Sequence, residues 1–383
     1  MAATKSSKLN ALMQAALALP IVSVSAKAGM LEGASLGFRW ENYREQGGRM
    51  RVSEPVLWIK APLGDDAEIF ASRTIDSISG ASPRLVTNQS GTPVVTLSGA
   101  SIVEHRRASD LKLTRRFGEL SISLSRALSF EKDYNSFAGT IEAKLELNEK
   151  NTTLVLVKGQ SNDRIGSVDN PSLSERRDTR EFLVGITQLL SPVSLLQSNI
   201  SSSRGHGFYN DPYKFTLSFQ PLGAAPILFA DARPAQRNQF AWLTRYRHHF
   251  SKLAATLQAD YRYYHDNWGV RAHTVEAAWQ QSLAQRWKVV PSLRVYSQTK
   301  ADFYRPVVSA PLPQTSSSDQ RLAAFGGLAP GIKVIYAFDQ GTTLDASFTL
   351  YRQRANWKWG GNGSAEFLPF NARYLMVGVT HQF

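Results

Sequence analysis

The chain has 383 residues, 43% of them hydrophobic, 10% aromatic and 20% charged, with no Cys and a formal net charge of +13. That balance is too apolar and aromatic for a disordered chain, and the missing Cys excludes disulfide scaffolds, thiol catalysis and Cys-ligated metal centres. Beyond the first 26 residues no run approaches the roughly 18 consecutive apolar residues of a spanning helix, so a helical membrane bundle is excluded as well.

Lys5 and Lys8 open the chain, an uncharged apolar segment interrupted by Pro20 follows over 11–24, and small residues Val24, Ala26 and Ala28 come next. Basic, apolar and small-residue regions in that order are the layout of a secretory signal peptide. The expectation is a signal over 1–26 and a single domain over 27–383. Removal takes Lys5 and Lys8 and no acid, so +13 becomes +11.

The rest reads with period two. Leu120, Ile122 and Leu124 alternate with serines. Phe137, Ile141, Ala143 and Leu145 alternate with Thr140, Glu142, Lys144 and Glu146. Phe240, Trp242 and Tyr246 face away from Arg245, Arg247 and His249. Leu257, Ala259, Tyr261 and Tyr263 alternate with Gln258, Asp260, Arg262 and Tyr264. Leu344, Ala346 and Phe348 repeat the scheme. In the last strand Leu375, Val377, Val379 and Phe383 share a face. Strict alternation means strands with one apolar and one polar face.

Three features separate a membrane barrel from a soluble sandwich. The strands run roughly 10–14 residues, where sandwich strands average about 5–6. Aromatics collect near strand ends at Trp40, Trp58, Trp242, Trp268, Trp279 and Trp287, as interfacial girdles do. The final strand ends in Phe383, which is similar to the signal that bacterial outer-membrane barrels present to their assembly machinery. Charge carried along one face of long strands also needs a wet lumen.

Short connections near 62–66, 117–119, 148–151, 191–192, 250–252, 284–286 and 339–341 alternate with longer ones at 76–105, 129–135, 161–175, 201–236, 264–268, 298–328 and 354–369. The expected fold is therefore an all-β transmembrane antiparallel barrel of about sixteen strands, with fourteen and eighteen as neighbouring counts. Short turns belong to the periplasmic side and long loops to the outside. The segment 201–236 is long enough to fold over or into the lumen.

The polar faces carry Arg39, Glu142, Lys144, Arg245, Arg247, Asp260, Arg262, Glu276, Lys288, Arg294, Lys333 and Asp345. Read blandly, they form a cross-strand salt-bridge network that narrows the barrel. Read functionally, they line a pore with a basic stripe, which favours anions. The excess of basic residues also suits anionic lipopolysaccharide. No basic–aromatic cluster points to nucleic acid. Catalysis has thin support: GxSxG is absent, and His265–Asp266 is the one place for a surface dyad. No cofactor or metal is expected, because His248 and His249 are adjacent on a strand and point to opposite faces.

Two motifs stand apart. Residues 205–214 read GHGFYNDPYK, with Asp211, Pro212, Tyr213 and Lys214 at their core; Arg233-Pro234 and Arg237 follow. The next hairpin, from Tyr261, reads YRYYHDNWG and contains Asp266 and Trp268. In these motifs and their order the chain resembles an uncharacterised family of bacterial outer-membrane barrels, known as a domain of unknown function, over nearly its whole mature length. The resemblance implies an outer-membrane barrel and, more loosely, an exported redox or flavin-transfer protein as partner. Physically, Asp211-Pro212 starts a turn, and Lys214, Arg233 and Arg237 are placed to pair with Asp211 and Asp231. Asp266 and Trp268 are placed to fix the neighbouring hairpin tip. The functional expectation is a porin-like channel for small solutes, with anions favoured; the alternative is a non-conducting barrel that anchors or sheathes an exported partner or surface assembly.

Overall fold

A computed structural model describes residues 32–80, 83–89, 92–97, 102–219, 225–309 and 313–383. The signal-like segment lies outside the described residues.

The strands, in chain order, are β1 (Ser35–Glu45), β2 (Met50–Pro62), β3 (Ala67–Gly80), β4 (Pro83–Gln89), β5 (Thr92–Leu97), β6 (Ile102–Phe117), β7 (Leu120–Phe130), β8 (Tyr134–Leu147), β9 (Thr152–Ile165) and β10 (Glu175–Ser191). They continue with β11 (Ser194–Gly207), β12 (Phe215–Phe219), β13 (Ile227–Ala230), β14 (Gln236–Phe250), β15 (Ala255–Asp266), β16 (Arg271–Leu283), β17 (Trp287–Gln298), β18 (Val307–Ser309), β19 (Phe325–Ala337), β20 (Thr342–Arg354) and β21 (Phe370–Gln382). Sixteen of them close into one barrel, each pairing with its sequence neighbour in the ring and β21 returning to β1. Every pairing in the ring is antiparallel, from Ser35↔Lys60 at β1–β2 to Ser35↔Gln382 at the closing seam. Closure removes the open edges that lipid could not satisfy. The remaining strands form a β4–β5 hairpin and a small sheet ordered β13-β12-β18, both within loops at one end of the barrel.

Register divides the alternating residues between two faces. Outward sit Leu111, Leu113, Leu154, Leu156, Val184, Ile186, Ile200 and Leu293, all exposed. A contiguous apolar surface of this kind around a closed barrel is a lipid-facing belt. Spans whose sequence leaves the face open, β2, β9 and β11, take their register from their neighbours. Val157 and Leu183, for example, turn inward and pack together.

The aromatic girdle differs from the sequence expectation at two tryptophans. Trp40, Trp242 and Trp287 do sit on the outward face, where Trp40 donates to Ser53 Oγ and Trp242 to Ser198 Oγ, both at 2.9 Å. Trp58 instead faces the lumen over Gly37, where a Cβ would lie 2.2 Å from the indole. Trp268 is only 2% exposed and lies in a loop core. Period-two counting cannot distinguish a girdle residue from one at a loop junction.

Candidate functional site

The lumen face carries the charged residues singled out from sequence, and several of them fall into local pairs. Lys112 meets Glu142 at 3.0 Å, Lys144 meets Glu146, and Lys333 meets Asp345 at 3.1 Å. Arg245 (3.3 Å) and Arg247 share Asp260. Arg294 stands opposite Glu276 in register, Lys288 opposite Ser282, and Arg39 lies between Val56 and Gly378. These are partly exposed pairs in a wet interior, each contributing about 0–1 kcal/mol. Their effect lies in the charge pattern. On the lumen face of β14–β17, Arg245, Arg247, Arg262, Lys288 and Arg294 outnumber the two carboxylates Asp260 and Glu276.

At the loop end the β11–β14, β15–β16, β17–β19 and β20–β21 connections pack together. The DPYK turn forms as an Asx turn: Tyr213 N donates to Asp211 Oδ1 at 3.1 Å, and Lys214 N to the Asp211 carbonyl at 3.1 Å. Asp211 is buried and is held from two sides. Its own N–H donates to Asp231 Oδ2 at 2.7 Å, and Arg321 Nη2 donates to its Oδ2 at 2.7 Å. Arg321 Nε also donates to both oxygens of Asp319 at 2.8 Å. Arg233 bridges Asp231 (2.6 Å) and Asp319 (2.9 Å). With buried Lys214 close by, three cations and three carboxylates tie residues 211–233 to residues 319–321. Tyr213 reaches across to Asp133 in the β7–β8 loop.

Burial, the largest single influence, would raise the Asp211 carboxyl, but Arg321 and Lys214 with the other positive charge nearby together outweigh it and hold the group at about 2. Asp319 is likewise driven well below the usual carboxylate range by Arg321 and Arg233 against its burial. Asp231 goes the other way: burial raises it more than Arg233 lowers it. Burial lowers the Lys214 ammonium.

Arg237 does not join this network. Its Nε (2.9 Å) and Nη2 (2.6 Å) both reach Asp266 Oδ2, and its guanidinium lies 4.1 Å over the Trp268 ring. Asp266 Oδ1 accepts from the backbone N–H groups of Trp268 and Val270, closing the hairpin tip. Gly269 there has φ +87, and a Cβ would sit 2.3 Å from Asp302 Oδ1, so both conformation and space demand Gly. Around Trp268 pack Val270, Phe303, Tyr304, Leu322, Phe325 and Phe367, an apolar core built mostly by loops, with Phe325 from the start of β19. The two motifs thus belong to one folded plug. Its charged half lies on the DPYK side and its apolar half under the NWG tip. Arg321 and Asp319 went unremarked in the sequence, where they sit in a loop notable only for its length.

Beneath the plug lies a chamber of about 910 Å³. In a ring of sixteen, β1–β3 stand opposite β11, β14 and β15. The first wall presents Glu41, Glu45, Glu54 and Asp76 together with Arg49, which is ion-paired to Glu45; the other side presents Arg177, Arg237 and Arg262. Most are engaged, as in Arg106–Asp76 and Arg177–Asp163. Tyrosines 43, 134, 209, 264, 296, 351 and 374 line the space between, many with hydroxyls bonded to neighbours, such as Tyr43 to Glu45 and Tyr296 to Gln298. The chamber therefore offers aromatic faces between walls of opposite charge.

The dyad suggested by sequence does not assemble. His265 points outward and stacks on Phe240, whereas Asp266 is buried and committed to Arg237. Among the described residues no cluster of His, Asp and Glu could hold a metal ion. Phe383 is exposed, on the outward face with Val377 and Val379, and its N–H donates to the Ala34 carbonyl at 2.9 Å.

The fold is similar to that of a bacterial polysaccharide outer membrane secretin, with a TM-score of 0.52 at 10% identity over 93% of this chain and 100% of that one. It is also similar to CdiB from Acinetobacter baumannii, with a TM-score of 0.53 at 9% identity over 92% of this chain and 60% of that one. No curated protein matches by sequence. Closure, an apolar outer belt and this likeness of fold make the molecule a β-barrel of the Gram-negative outer membrane. A family described as "Protein of unknown function (DUF3570)" matches residues 9–175 and 167–374, and the chain belongs to that family.

Proposed function

We propose that the barrel is a selective channel for small polar solutes, porin-like in its walls but closed at its loop end by the folded plug. The observation that carries this reading is the chamber, bounded above by the plug and at the sides by opposed charge. A solute entering it meets a transverse field that orients dipoles, and aromatic faces that replace part of its hydration. On the lumen face of β14–β17, the excess of cations over Asp260 and Glu276 favours anions. The apolar loop core supports a closed resting state, so the native barrel should pass little current.

Planar-bilayer recording tests this. The native chain should give small or rare openings. Replacing 208–235 by a short turn should give steady steps, with a reversal potential in a salt gradient that favours anions. Arg245→Gln with Arg247→Gln should reduce that preference. A folded, plug-shortened barrel that stays electrically silent would sink the channel reading. It would favour instead a non-conducting barrel that anchors an exported partner, the reading that the dense loop core supports.

A further inference from the structure

On β9–β11 the outward face changes character abruptly. From Leu190 to Phe182 the outward residues of β10 are mostly apolar, a climb of about 26 Å along the strand at about 3.3 Å per residue. Allowing for strand tilt, that is close to the height of a lipid-facing band. Directly above it the outward positions become Arg180, Asp178 and Arg176, all exposed. Arg164 on β9 and Arg204 on β11 are outward and exposed in the same zone, and Lys158 on β9 is outward and exposed opposite Phe182, at the top edge of the belt.

The register places like charges face to face. Arg180 is paired with Arg204, and Arg164 with Arg176. Cross-strand neighbours of this kind lie about 5 Å apart at Cβ and repel. Asp178 is the one acid in the patch, and it accepts from Asn162. None of the five cations has an ion-pair partner among the described residues. The lumen face one residue away does the opposite: Arg177, next to Arg176, is closed on Asp163, next to Arg164. Apart from Asp178, the carboxylates here are spent inside, and the outer cations outnumber it at the height where lipid headgroups sit.

We propose that this patch is a binding site for a phosphorylated glycolipid headgroup of the outer leaflet, with Lys158, Arg164, Arg176, Arg180 and Arg204 gripping phosphate. Guanidinium groups held a few ångströms apart suit a doubly charged anion, which turns their mutual repulsion into shared attraction. Gln160, paired with Arg180, and Asn238, paired with Arg204, add neutral donors for saccharide hydroxyls. The acyl chains would lie on the belt below, over Phe182, Val184 and Leu156. The site is independent of whether the lumen conducts.

The test uses the full-length folded barrel, with native mass spectrometry counting retained diphosphorylated lipid A. Heat-modifiable electrophoretic migration confirms folding of each variant. Wild type should retain lipid A, and each of Lys158→Gln, Arg176→Gln, Arg180→Gln and Arg204→Gln should weaken binding about fivefold. The combined variant should lose it. Arg115→Gln with Arg286→Gln, at the turn end, should leave retention unchanged, and dephosphorylated lipid A should bind poorly to wild type. The proposal is overturned if the folded combined variant keeps wild-type retention, if the turn-end control loses lipid equally, or if dephosphorylated lipid A binds as well. Full displacement by millimolar inorganic phosphate would also overturn it, by reducing the patch to a simple anion site.

Discussion

Arg321 is a central tie of the plug, because it contacts both Asp211 and Asp319. Removing one partner of a buried ionic cluster leaves charge uncompensated, at about 3–5 kcal/mol. Arg321→Gln should therefore loosen the tie between residues 211–233 and 319–321 while the barrel stays folded. Limited proteolysis within 208–235 should become faster, and protection equal to wild type would show that the apolar core alone holds the plug. Four of the six members of this cluster, Asp211, Lys214, Asp231 and Arg233, were readable in the sequence. Asp-Pro in a turn and Arg-Pro nearby mark Asp211 and Arg233 by local chemistry. Nothing local marks Arg321, whose contact with Asp211 spans 110 residues. The same gap explains Arg237, which pairs with Asp266 across the β14–β15 hairpin rather than with the nearer Asp231.

At the scale of the strand, face decides tolerance. Val184 is outward and mid-belt on β10, and Gly185 beside it faces the lumen. Val184→Arg should cost about 2–4 kcal/mol, because the charge would sit at the depth of the hydrocarbon. Thr187→Arg, on the lumen face of the same strand, should cost much less. Denaturant unfolding from lipid vesicles compares the two; equal losses would mean that the outward face of β10 is not lipid-covered. Faces and turns were readable because the alternation is strict and the seven short turns carry their own residues. Strands with polar residues on both faces near the loop end, such as β9 with Lys158, Gln160 and Arg164 outward, were not. Their upper halves rise above the belt, where period two no longer separates lipid from water. Loop structure was legible only as length, since an apolar core assembled from Trp268, Phe303, Leu322 and Phe367 has no period at all.

For the whole molecule, barrel and plug are held by different forces, and pH separates them. The barrel rests on a closed backbone ladder that does not titrate. The plug rests on its apolar core and on carboxylates whose charge is required. A carboxyl depressed in the folded chain stabilises it fully above its unfolded value near 3.9, and that contribution disappears as pH falls through the folded value. For Asp211 the folded value is about 2, and Asp319 is also depressed, so the plug should loosen as pH drops from about 4 towards 2. Asp231, raised by burial, shifts in the opposite sense and offsets part of the loss. Bilayer current should therefore rise across that window while the far-ultraviolet circular dichroism of the barrel stays constant, and it should return on neutralisation. Arg321→Gln, which has already lost the pairing, should show high current at neutral pH and little further change in acid. If current and β-signal instead change together, plug and barrel form one cooperative unit, and the chamber's roof cannot move without the walls.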